Sequence, residues 1–575
     1  MIGLATERPR VGERGGTGGW GNMSKNQFDA IVVGSGATGG FAAKELTERG
    51  MRVLLLEAGP QHGKEEFAPL EDASKGMDMG SLSRFRAAMR GQHVQARAMF
   101  FSPQKHFLFV NDRQNPYSWD PGHFYLWVRG RQLGGRFLSF GRVIPRMSDY
   151  DFKAASRDGV GEDWPIAYQD LAPYYDQVES FLGVVGDTNH VPNMPDGKYI
   201  AKASLTSWES AFKQTVASKW PERKVIPWRY MASRAVKDYV PITIRAAQAT
   251  GLVEIRTGAV VDRILIDPVT GRASGVSYLD ANTRRATEVR AGVVVLCAST
   301  IESVRLMLNS ACARHPNGVG NSSGVLGRYF MDQMPALVFG GVAGASGWEK
   351  GDEGFGDALN RNPGGIYIPR FQNLDRVTHP QFKRGFNIQG AVGRFVVPEG
   401  APPLFGFSAH GEMLPRADNT VTVHPSRKDA WGIPIPHVRC SPGENELKML
   451  RVAMDTIKEM VAASGYEIEF AASYLGIENP DDLMPHASWL ARTMFRRSYR
   501  RTLGVGAAIH ECGGARMGAD PSKSVLNPHN QVWDAANVYV TDSSCFVTNG
   551  SCGPTLTTMA LTVRACEHIA REFGR

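Results

Sequence analysis

Hydrophobic and polar positions at the start of the chain follow the pattern of a strand, a helix and a second strand. An apolar run begins at Phe28, a glycine-rich turn and a helical stretch follow, and the helix is expected to end at Gly50 before the apolar run of residues 51–59. A βαβ unit of about 30 residues is the format of a dinucleotide-binding fold. The pattern therefore predicts an α/β fold with a Rossmann-like nucleotide-binding domain.

The rest of the chain changes pattern twice. Residues 241–335 again alternate helices with apolar strands, whereas residues 336–500 hold more proline, aromatic residues and alternating strands, one of them predicted over residues 370–376. Such alternation is typical of an antiparallel sheet. Residues 501–575 return to the first pattern. We expect an antiparallel-sheet (α+β) substrate-binding domain inserted into a nucleotide-binding domain built from discontinuous segments.

The predicted boundaries follow these changes of pattern. They are a disordered tail at 1–27, nucleotide-binding segments at 28–165, 241–335 and 501–575, and substrate-domain segments at 166–240 and 336–500, with an irregular stretch at 66–125 interpreted as a lid.

Composition and charge exclude several classes of protein. The hydrophobic share of 42% and the charged share of 21% exclude a disordered or fibrous chain. The net charge of +8 is mild and no nucleic-acid-binding module is recognisable, so no nucleic acid partner is expected. No apolar run is long enough to cross a bilayer and no secretory signal is visible, which predicts a cytoplasmic protein, with export beside a partner left open. The 7 cysteines show no C-x-x-C pair, so no metal is expected.

The first chemical motif is the glycine-rich turn after the first strand. Gly34 permits the tight turn, Gly36 lets the backbone approach a pyrophosphate, and Gly39 lets the helix pack against the strand. Glu57 ends the second strand, where a carboxylate binds ribose hydroxyls and repels a 2′-phosphate. The motif predicts NAD or FAD rather than NADP.

Further cofactor-binding candidates follow along the chain. In the run 129–136, Arg129 stands near Gly134 and Gly135, where backbone without Cβ atoms allows a phosphate or a flavin edge to come close. Val260 belongs to a strand predicted beside the adenine, and Ala298 follows a later buried strand. His510 stands before a Gly-Gly bend, where an exposed imidazole can take an alcohol proton near neutral pH.

These blocks together resemble the glucose–methanol–choline (GMC) oxidoreductase family over nearly the whole chain, most strongly in residues 34–40, 129–135 and 322–332 and from His510 onward. Within the family the sequence is similar to the bacterial sugar and glycoside dehydrogenases and to the pyranose oxidases. The resemblance implies FAD and oxidation of a CH–OH group to a carbonyl.

The resemblance also assigns roles at the C-terminal end. It implies that His510 is the base that takes the hydroxyl proton while hydride passes to flavin N5. Asp542 matches the acidic residue near the ribityl-pyrophosphate, and Thr555 matches the helix start that faces the flavin pyrimidine. A helix N-terminus there would stabilise the anionic reduced flavin.

The sequence departs from the family at three places. Gly553 stands where the family has a second His or Asn. The alternatives are that Asn549 or a water takes that role, or that the glycine makes room for a bulky substrate. The flavin loop 137–140 has no His, which predicts noncovalent FAD. No Cys precedes Cys297, which argues against the iron–sulfur cluster of related dehydrogenases.

The leading hypothesis is oxidation of a sugar or glycoside, with oxygen, a quinone or a protein as electron acceptor. Alternatives are oxidation of a bulky aromatic alcohol, a lyase that keeps FAD without redox turnover, and a structural subunit. A homo-oligomer or a small companion subunit stays open.

Overall fold

The computed structural model describes residues 28–71, 81–352, 354–357, 363–375, 378–478 and 488–574. The predicted tail at 1–27 lies outside the described residues, as do residues 72–80 of the predicted lid.

The strands of the described chain are, in order, β1 (Phe28–Val33), β2 (Val53–Leu56), β3 (Ser118–Trp119), β4 (Val184–Gly186), β5 (Tyr199–Lys202), β6 (Ile226–Pro227), β7 (Tyr230–Met231), β8 (Val236–Lys237), β9 (Val240–Pro241), β10 (Val253–Arg256), β11 (Ala259–Ile266), β12 (Ala273–Asp280), β13 (Ala286–Leu296), β14 (Met334–Val342), β15 (Ile366–Ile368), β16 (Phe386–Val392), β17 (Leu404–Gly411), β18 (Thr420–Lys428), β19 (Pro434–Arg439), β20 (Tyr466–Ser473), β21 (Gly476–Ile477) and β22 (Val538–Val540).

The α-helices are α1 (Ala37–Glu48), α2 (Lys64–Glu71), α3 (Ser81–Ala87), α4 (Asp149–Phe152), α5 (Ala154–Asp158), α6 (Tyr168–Leu182), α7 (Ser207–Lys219), α8 (Ile242–Ala249), α9 (Thr300–Asn309), α10 (Glu444–Ala463), α11 (Trp489–Ser498) and α12 (Thr555–Glu572).

The first sheet contains the predicted βαβ unit. Parallel strands run in the order β10, β2, β1 and β13, and β22 pairs with the end of β13, while β12 and β11 add an antiparallel extension. Ala30 and Val32 of β1 pack toward α1 and α12, whereas Ile31 and Val33 pack on the opposite face. Because both faces are covered here, residues 30–33 of β1 and all of β2 are apolar, which is why their pattern was readable.

The second sheet is the predicted antiparallel one. Its strand order is β21, β20, β14, β17, β16, β15 and β6, and α10 packs against β14, β17 and β20. β18 is a strand as expected, but it pairs with β19 and β3 in a separate small sheet.

Three expectations differ from the structure. The strand predicted over residues 370–376 is wrong: β15 ends at Ile368, and positive φ angles at Asn373 (51°) and Asp375 (48°) are incompatible with an extended strand. The stretch 66–125 contains helices α2 and α3 as well as irregular chain.

The third difference concerns the segment 166–240, which was assigned to the substrate domain. Its helix α6 packs against α12, and the Tyr175 hydroxyl lies 2.8 Å from Thr557 Oγ1, so this helix belongs with the nucleotide-binding layers. Its strand β6 joins the second sheet. The other boundaries stay predictions. No helix among the described residues is long and apolar enough to span a bilayer.

Candidate active site

A cavity of about 890 Å³ lies between the two sheets. Val33, Leu56 and Cys297 line it at the carboxyl ends of β1, β2 and β13, and residues of β16 and β17 line its other side. Ligands of open α/β sheets bind at the carboxyl ends of the strands. The fold therefore creates one continuous space that joins the glycine-rich turn to the second sheet.

The glycine-rich turn has the geometry that its sequence predicts. Gly34 has φ of 94°, and a Cβ atom there would lie 2.5 Å from the carbonyl oxygen of Cys297. A Cβ at Gly39 would lie 1.8 Å from the Gly34 carbonyl oxygen, so this glycine serves helix packing and does not line the cavity. Gly36 lines the cavity, and its missing Cβ would point into open space with no atom within 4 Å.

Because Gly36 borders the cavity and Gly39 packs against backbone, substitutions at these two positions should affect cofactor binding and folding, respectively. Gly36→Val should leave the melting temperature close to that of the wild-type apoprotein but weaken FAD binding at least about 100-fold, because the side chain enters the cofactor's space. Gly39→Ala should lower the free energy of unfolding by about 3 kcal/mol, because two backbones are forced apart.

The measurement is bound flavin per protein together with thermal unfolding of the apoprotein. Gly476→Val is the matched control, since a Cβ there also meets no atom within 4 Å and the residue does not line the cavity. Full flavin occupancy in Gly36→Val would contradict the assignment.

Glu57 lines the cavity beside this turn and is held in place by backbone and hydroxyl donors. The backbone N–H groups of Ser35 and Gly59 donate to its carboxylate at 3.1 and 2.8 Å, and the Ser35 hydroxyl donates at 2.5 Å. Burial raises the pKa of Glu57, and these hydrogen bonds oppose that rise. The carboxylate is thus fixed at the edge of the cavity, where ribose hydroxyls were expected.

Two arginines, Arg129 buried and Arg131 half-buried, supply positive charge at this end of the cavity. Arg129 and Arg131 both line it, and within the described chain the Nε atom of each is buried without a hydrogen-bond partner. Burial lowers the pKa of both guanidinium groups. Arg129 also lies 3.9 Å from the ring centroid of Trp127. Two cations whose buried Nε donors are unused fit an anionic ligand such as a pyrophosphate.

Of the remaining cofactor-binding candidates, three line the cavity and one does not. Gly135, Val260 and Ala298 line the cavity. Gly134 does not line it; with φ of 89°, its backbone N–H donates to Ser35 Oγ at 2.9 Å and so holds the turn.

The C-terminal helix α12 points its N-terminus at the cavity. Thr555, its first residue, lines the wall together with Asp542. Both Ser544 and Ser303 donate to the Asp542 carboxylate, while burial raises its pKa. The positive end of an 18-residue helix can stabilise negative charge on a ligand at this position.

His510 lies in the cavity wall with a ring orientation set by its neighbours. Gln333 Nε2 donates to the carbonyl oxygens of Gly550 at 2.8 Å and Cys552 at 3.0 Å, so its Oε1 faces His510 Nδ1 at 2.7 Å. That oxygen accepts only, so Nδ1 carries the proton and Nε2 keeps its lone pair. Ile509, directly before it, has φ of 60°, a strained value for a β-branched residue.

Electrostatics keep this imidazole neutral. Burial lowers the pKa of His510 well below its ordinary value, and the neighbouring His410 and Arg136 lower it further. Arg136 is itself paired with Glu511, at 2.9 Å between Nη2 and Oε2. A neutral imidazole with a free Nε2 is a competent proton acceptor at neutral pH.

Gly553 lies beside His510 in the cavity wall. A Cβ at Gly553 would lie 3.4 Å from His510 Nε2, in ordinary contact. Asn549 does not line the cavity: its side chain is fully buried, and both polar atoms of its amide lack a partner within the described chain. The structure therefore gives no support for Asn549 as the substitute, because its buried side chain is not part of the cavity wall.

Four polar side chains on the second sheet belong to the site but were not among the residues predicted from the sequence. Asn387 pairs with His410, and Gln389 pairs with Ser408, across β16 and β17, and all four line the cavity. His410 Nε2 lies 2.8 Å from Ser408 Oγ and 2.9 Å from Gln389 Nε2. Polar residues two positions apart on each strand were the signal, since alternate residues share one face of a sheet.

His410 brings a second imidazole to the base. Its ring centroid lies 5.4 Å from that of His510, and burial lowers its pKa to about 4. The second histidine of this site thus comes from β17 and not from the segment before α12. No group of three His, Cys, Asp or Glu suited to a metal ion occurs within the described ranges.

Comparison with known proteins identifies the family. GMC oxidoreductase models match residues 28–334 and 415–562. The chain belongs to the GMC oxidoreductase family. It is 27% identical to 2-methyl-1,2-propanediol dehydrogenase of Mycolicibacterium austroafricanum, over 96% of both chains. It is 24% identical to the fructose dehydrogenase large subunit of Gluconobacter japonicus, over 95% of this chain and 98% of that one. A formate oxidase structure from Aspergillus oryzae RIB40 superposes with a TM-score of 0.62 at 15% identity, covering 96% of this chain and all of that chain (100%).

Family membership makes the chain an FAD-dependent alcohol oxidoreductase, as the sequence predicted. The cavity fits that cofactor at both ends, with the open cradle at Gly36 and the unused donors of Arg129 and Arg131 at one end and the α12 N-terminus at the other. Noncovalent attachment stays a prediction.

Proposed function

We propose that this GMC oxidoreductase oxidises a hydroxyl group of a sugar or glycoside, with His510 as the base. Four polar side chains that line the same cavity as the base carry the proposal: Asn387, Gln389, Ser408 and His410. Asn387 Oδ1 is buried with no partner in the described chain, so it can accept from a ligand hydroxyl. A row of amide, hydroxyl and imidazole groups matches several hydroxyls at once, which a simple alcohol does not offer.

Relatives support the same substrate class. Besides the fructose dehydrogenase subunit, paromamine 6′-oxidase of Streptomyces fradiae is 24% identical over 96% of this chain and 94% of that one. Trp228 and Phe407, which also line the cavity, offer apolar surfaces for a sugar ring.

The chain's own residues provide proton removal and charge stabilisation. His510 Nε2 takes the hydroxyl proton, and Gln333 holds the Nδ1–H tautomer that leaves Nε2 free. Bound FAD, held by the glycine-rich turn, Glu57 and the two arginines, supplies the hydride acceptor. The α12 N-terminus at Thr555 stabilises negative charge that develops beside it.

Because Gln333 holds His510 in the Nδ1–H tautomer, the rate of flavin reduction should depend on Gln333. Gln333→Met keeps a similar length but removes the acceptor, so the pH-independent rate of substrate-dependent flavin reduction should fall about 10- to 100-fold. Since the pKa of His510 is lowered by burial, the wild-type rate should stay level at neutral pH and fall only as acid protonates the ring.

Histidine ring ¹⁵N shifts check the tautomer directly, with His510→Ala used for assignment. The matched control is Gln372→Met, which replaces another buried glutamine outside the cavity lining. An unchanged plateau and unchanged ring shifts in Gln333→Met would show that Gln333 does not set the tautomer.

The proposed function is tested by anaerobic visible spectra of the holoenzyme titrated with sugars, glycosides and aromatic alcohols. Bleaching of the oxidised flavin band by sugars or glycosides is the expected result. Bleaching by aromatic alcohols alone would favour the bulky-alcohol alternative, for which the room at Gly553 is the supporting observation. A flavin that no alcohol bleaches would overturn the proposal and favour a lyase or structural subunit.

The electron acceptor and any companion subunit stay proposals. Admitting air to the reduced enzyme tests oxygen as acceptor, and quinones and dyes are tested in the same assay. Relatives named as a large subunit and as the gluconate 2-dehydrogenase flavoprotein of Pantoea cypripedii favour a search for a partner subunit. A cytoplasmic location is likewise a proposal, to be tested by cell fractionation.

A further inference from the structure

An amphipathic helical segment leaves its apolar stripe in solvent. α3 continues as one π-helical stretch, Ala88–Gln92, and Leu82, Phe85 and Met89 recur at intervals of three and four residues. Their exposed fractions are 62, 62 and 60%. Residues at this spacing share one face of a helix, which a soluble protein ordinarily packs against its core.

Basic side chains flank the stripe. Arg86 and Arg90 are exposed, and the helical spacing places both along one edge of the stripe. Arg97 lies further along the segment, where burial and then repulsion from Arg501 lower its pKa. An apolar stripe edged by arginines is the arrangement of helices that lie in a membrane interface.

Hydrogen bonds join this helix to the mouth of the cavity. Arg84 of α3 donates to the carbonyl oxygens of Ala96, Ala98, Met99 and Phe101. The helix and the loop 96–101 therefore form one surface. Phe100 of that loop is 39% exposed and also lines the cavity, so the apolar surface reaches the cavity itself.

We propose that this surface, formed by Leu82, Phe85, Met89, Met99 and Phe100, docks onto an anionic lipid bilayer. The stripe enters the interface, and Arg86 and Arg90 contact lipid phosphates at its edge. Because Phe100 belongs to both the surface and the cavity, the cavity mouth then faces the membrane. A reactant dissolved in the bilayer reaches the active site without crossing bulk water. The proposal goes beyond the proposed function and does not depend on the substrate.

Vesicle co-sedimentation of the full-length holoenzyme tests the proposal. The wild type should bind vesicles that mix phosphatidylcholine with phosphatidylglycerol, and it should bind less at high salt. Leu82→Ser/Phe85→Ser should weaken binding at least about tenfold, because two inserted apolar side chains are lost. Arg86→Gln/Arg90→Gln should weaken binding to the anionic vesicles about 30-fold, since each basic residue near such a surface contributes about 1 kcal/mol.

The matched control is Ile200→Ser/Val269→Ser, which removes two exposed apolar side chains (44 and 84% exposed) from other elements. Activity with a soluble acceptor dye should be unchanged in all three variants, since none of these residues lines the cavity. Absence of wild-type binding to the mixed vesicles, or equal loss of binding in the control, would overturn the proposal. A wild-type dimer that becomes a monomer in Leu82→Ser/Phe85→Ser would also overturn the proposal, because a second copy would then cover the stripe in the wild type.

Discussion

His510→Ala is expected to retain FAD but to lose substrate-dependent flavin reduction by a factor of about 10³, the middle of the range for removing a general base. Three linked features make His510 the base: Gln333 accepts from its Nδ1, its Nε2 lies beside Gly553 in the cavity wall, and burial lowers its pKa. Without the imidazole, the substrate proton has no neutral acceptor at that position. Stopped-flow absorbance of the flavin under anaerobic conditions measures the rate.

Two comparisons make this result specific to the base. His529→Ala replaces a histidine that stacks on His568, with ring centroids 4.3 Å apart, and does not line the cavity, so it should reduce flavin at the wild-type rate. Flavin content should equal that of the wild type in both variants, because neither side chain belongs to the nucleotide-binding end. Wild-type reduction rates in His510→Ala would refute the base assignment and leave the fold assignment intact.

The nucleotide-binding half was readable from sequence for a local reason. Its signals lie within one short stretch: apolar strands covered on both faces, a glycine turn and Glu57 at a strand end. Each glycine had a distinct steric duty, and the structure shows Gly34 and Gly39 avoiding backbone clashes while Gly36 borders open space. Local rules were sufficient because the chemistry of this half is carried by neighbours along the chain.

The substrate half was less readable because its site forms through long-range pairing. His410 lies 100 residues before His510, and only the register of β17 with β16 brings it beside Asn387. A lone histidine on a strand carries no signal of its partners. The one side chain predicted as a replacement at Gly553 therefore came from the nearby chain: Asn549, offered beside a water or room for a bulky substrate, is buried outside the cavity.

With glycine at position 553, the second imidazole beside His510 comes from the second sheet. A side chain at 553 would contact His510 Nε2 directly, whereas His410 approaches the base from the opposite sheet. His410, His510 and Gly553 all line the cavity. We expect a substrate hydroxyl bound beside His510 to contact both imidazoles, so that two groups act on one oxygen although the position of the second group has moved.

His410→Ala is therefore expected to slow flavin reduction by about 10²- to 10³-fold, the cost of removing a hydrogen-bonding partner from a developing oxyanion. Adding Gly553→Asn to that variant should restore about tenfold of the rate with a small sugar, because the backbone at 553 has no positive φ and a Cβ there has room. In the otherwise wild-type protein, Gly553→Asn should slow the oxidation of bulky substrates, since it fills the open space.

Ser408→Ala is the control for this series. It removes one hydrogen bond to His410 Nε2, leaves the ring in place, and should cost no more than about tenfold. Steady-state analysis separates the roles: loss of a partner in the transition state lowers kcat, whereas loss of a binding contact raises KM alone. If His410→Ala changes only KM, His410 is a substrate-binding residue, and the single base His510 acts without a second imidazole.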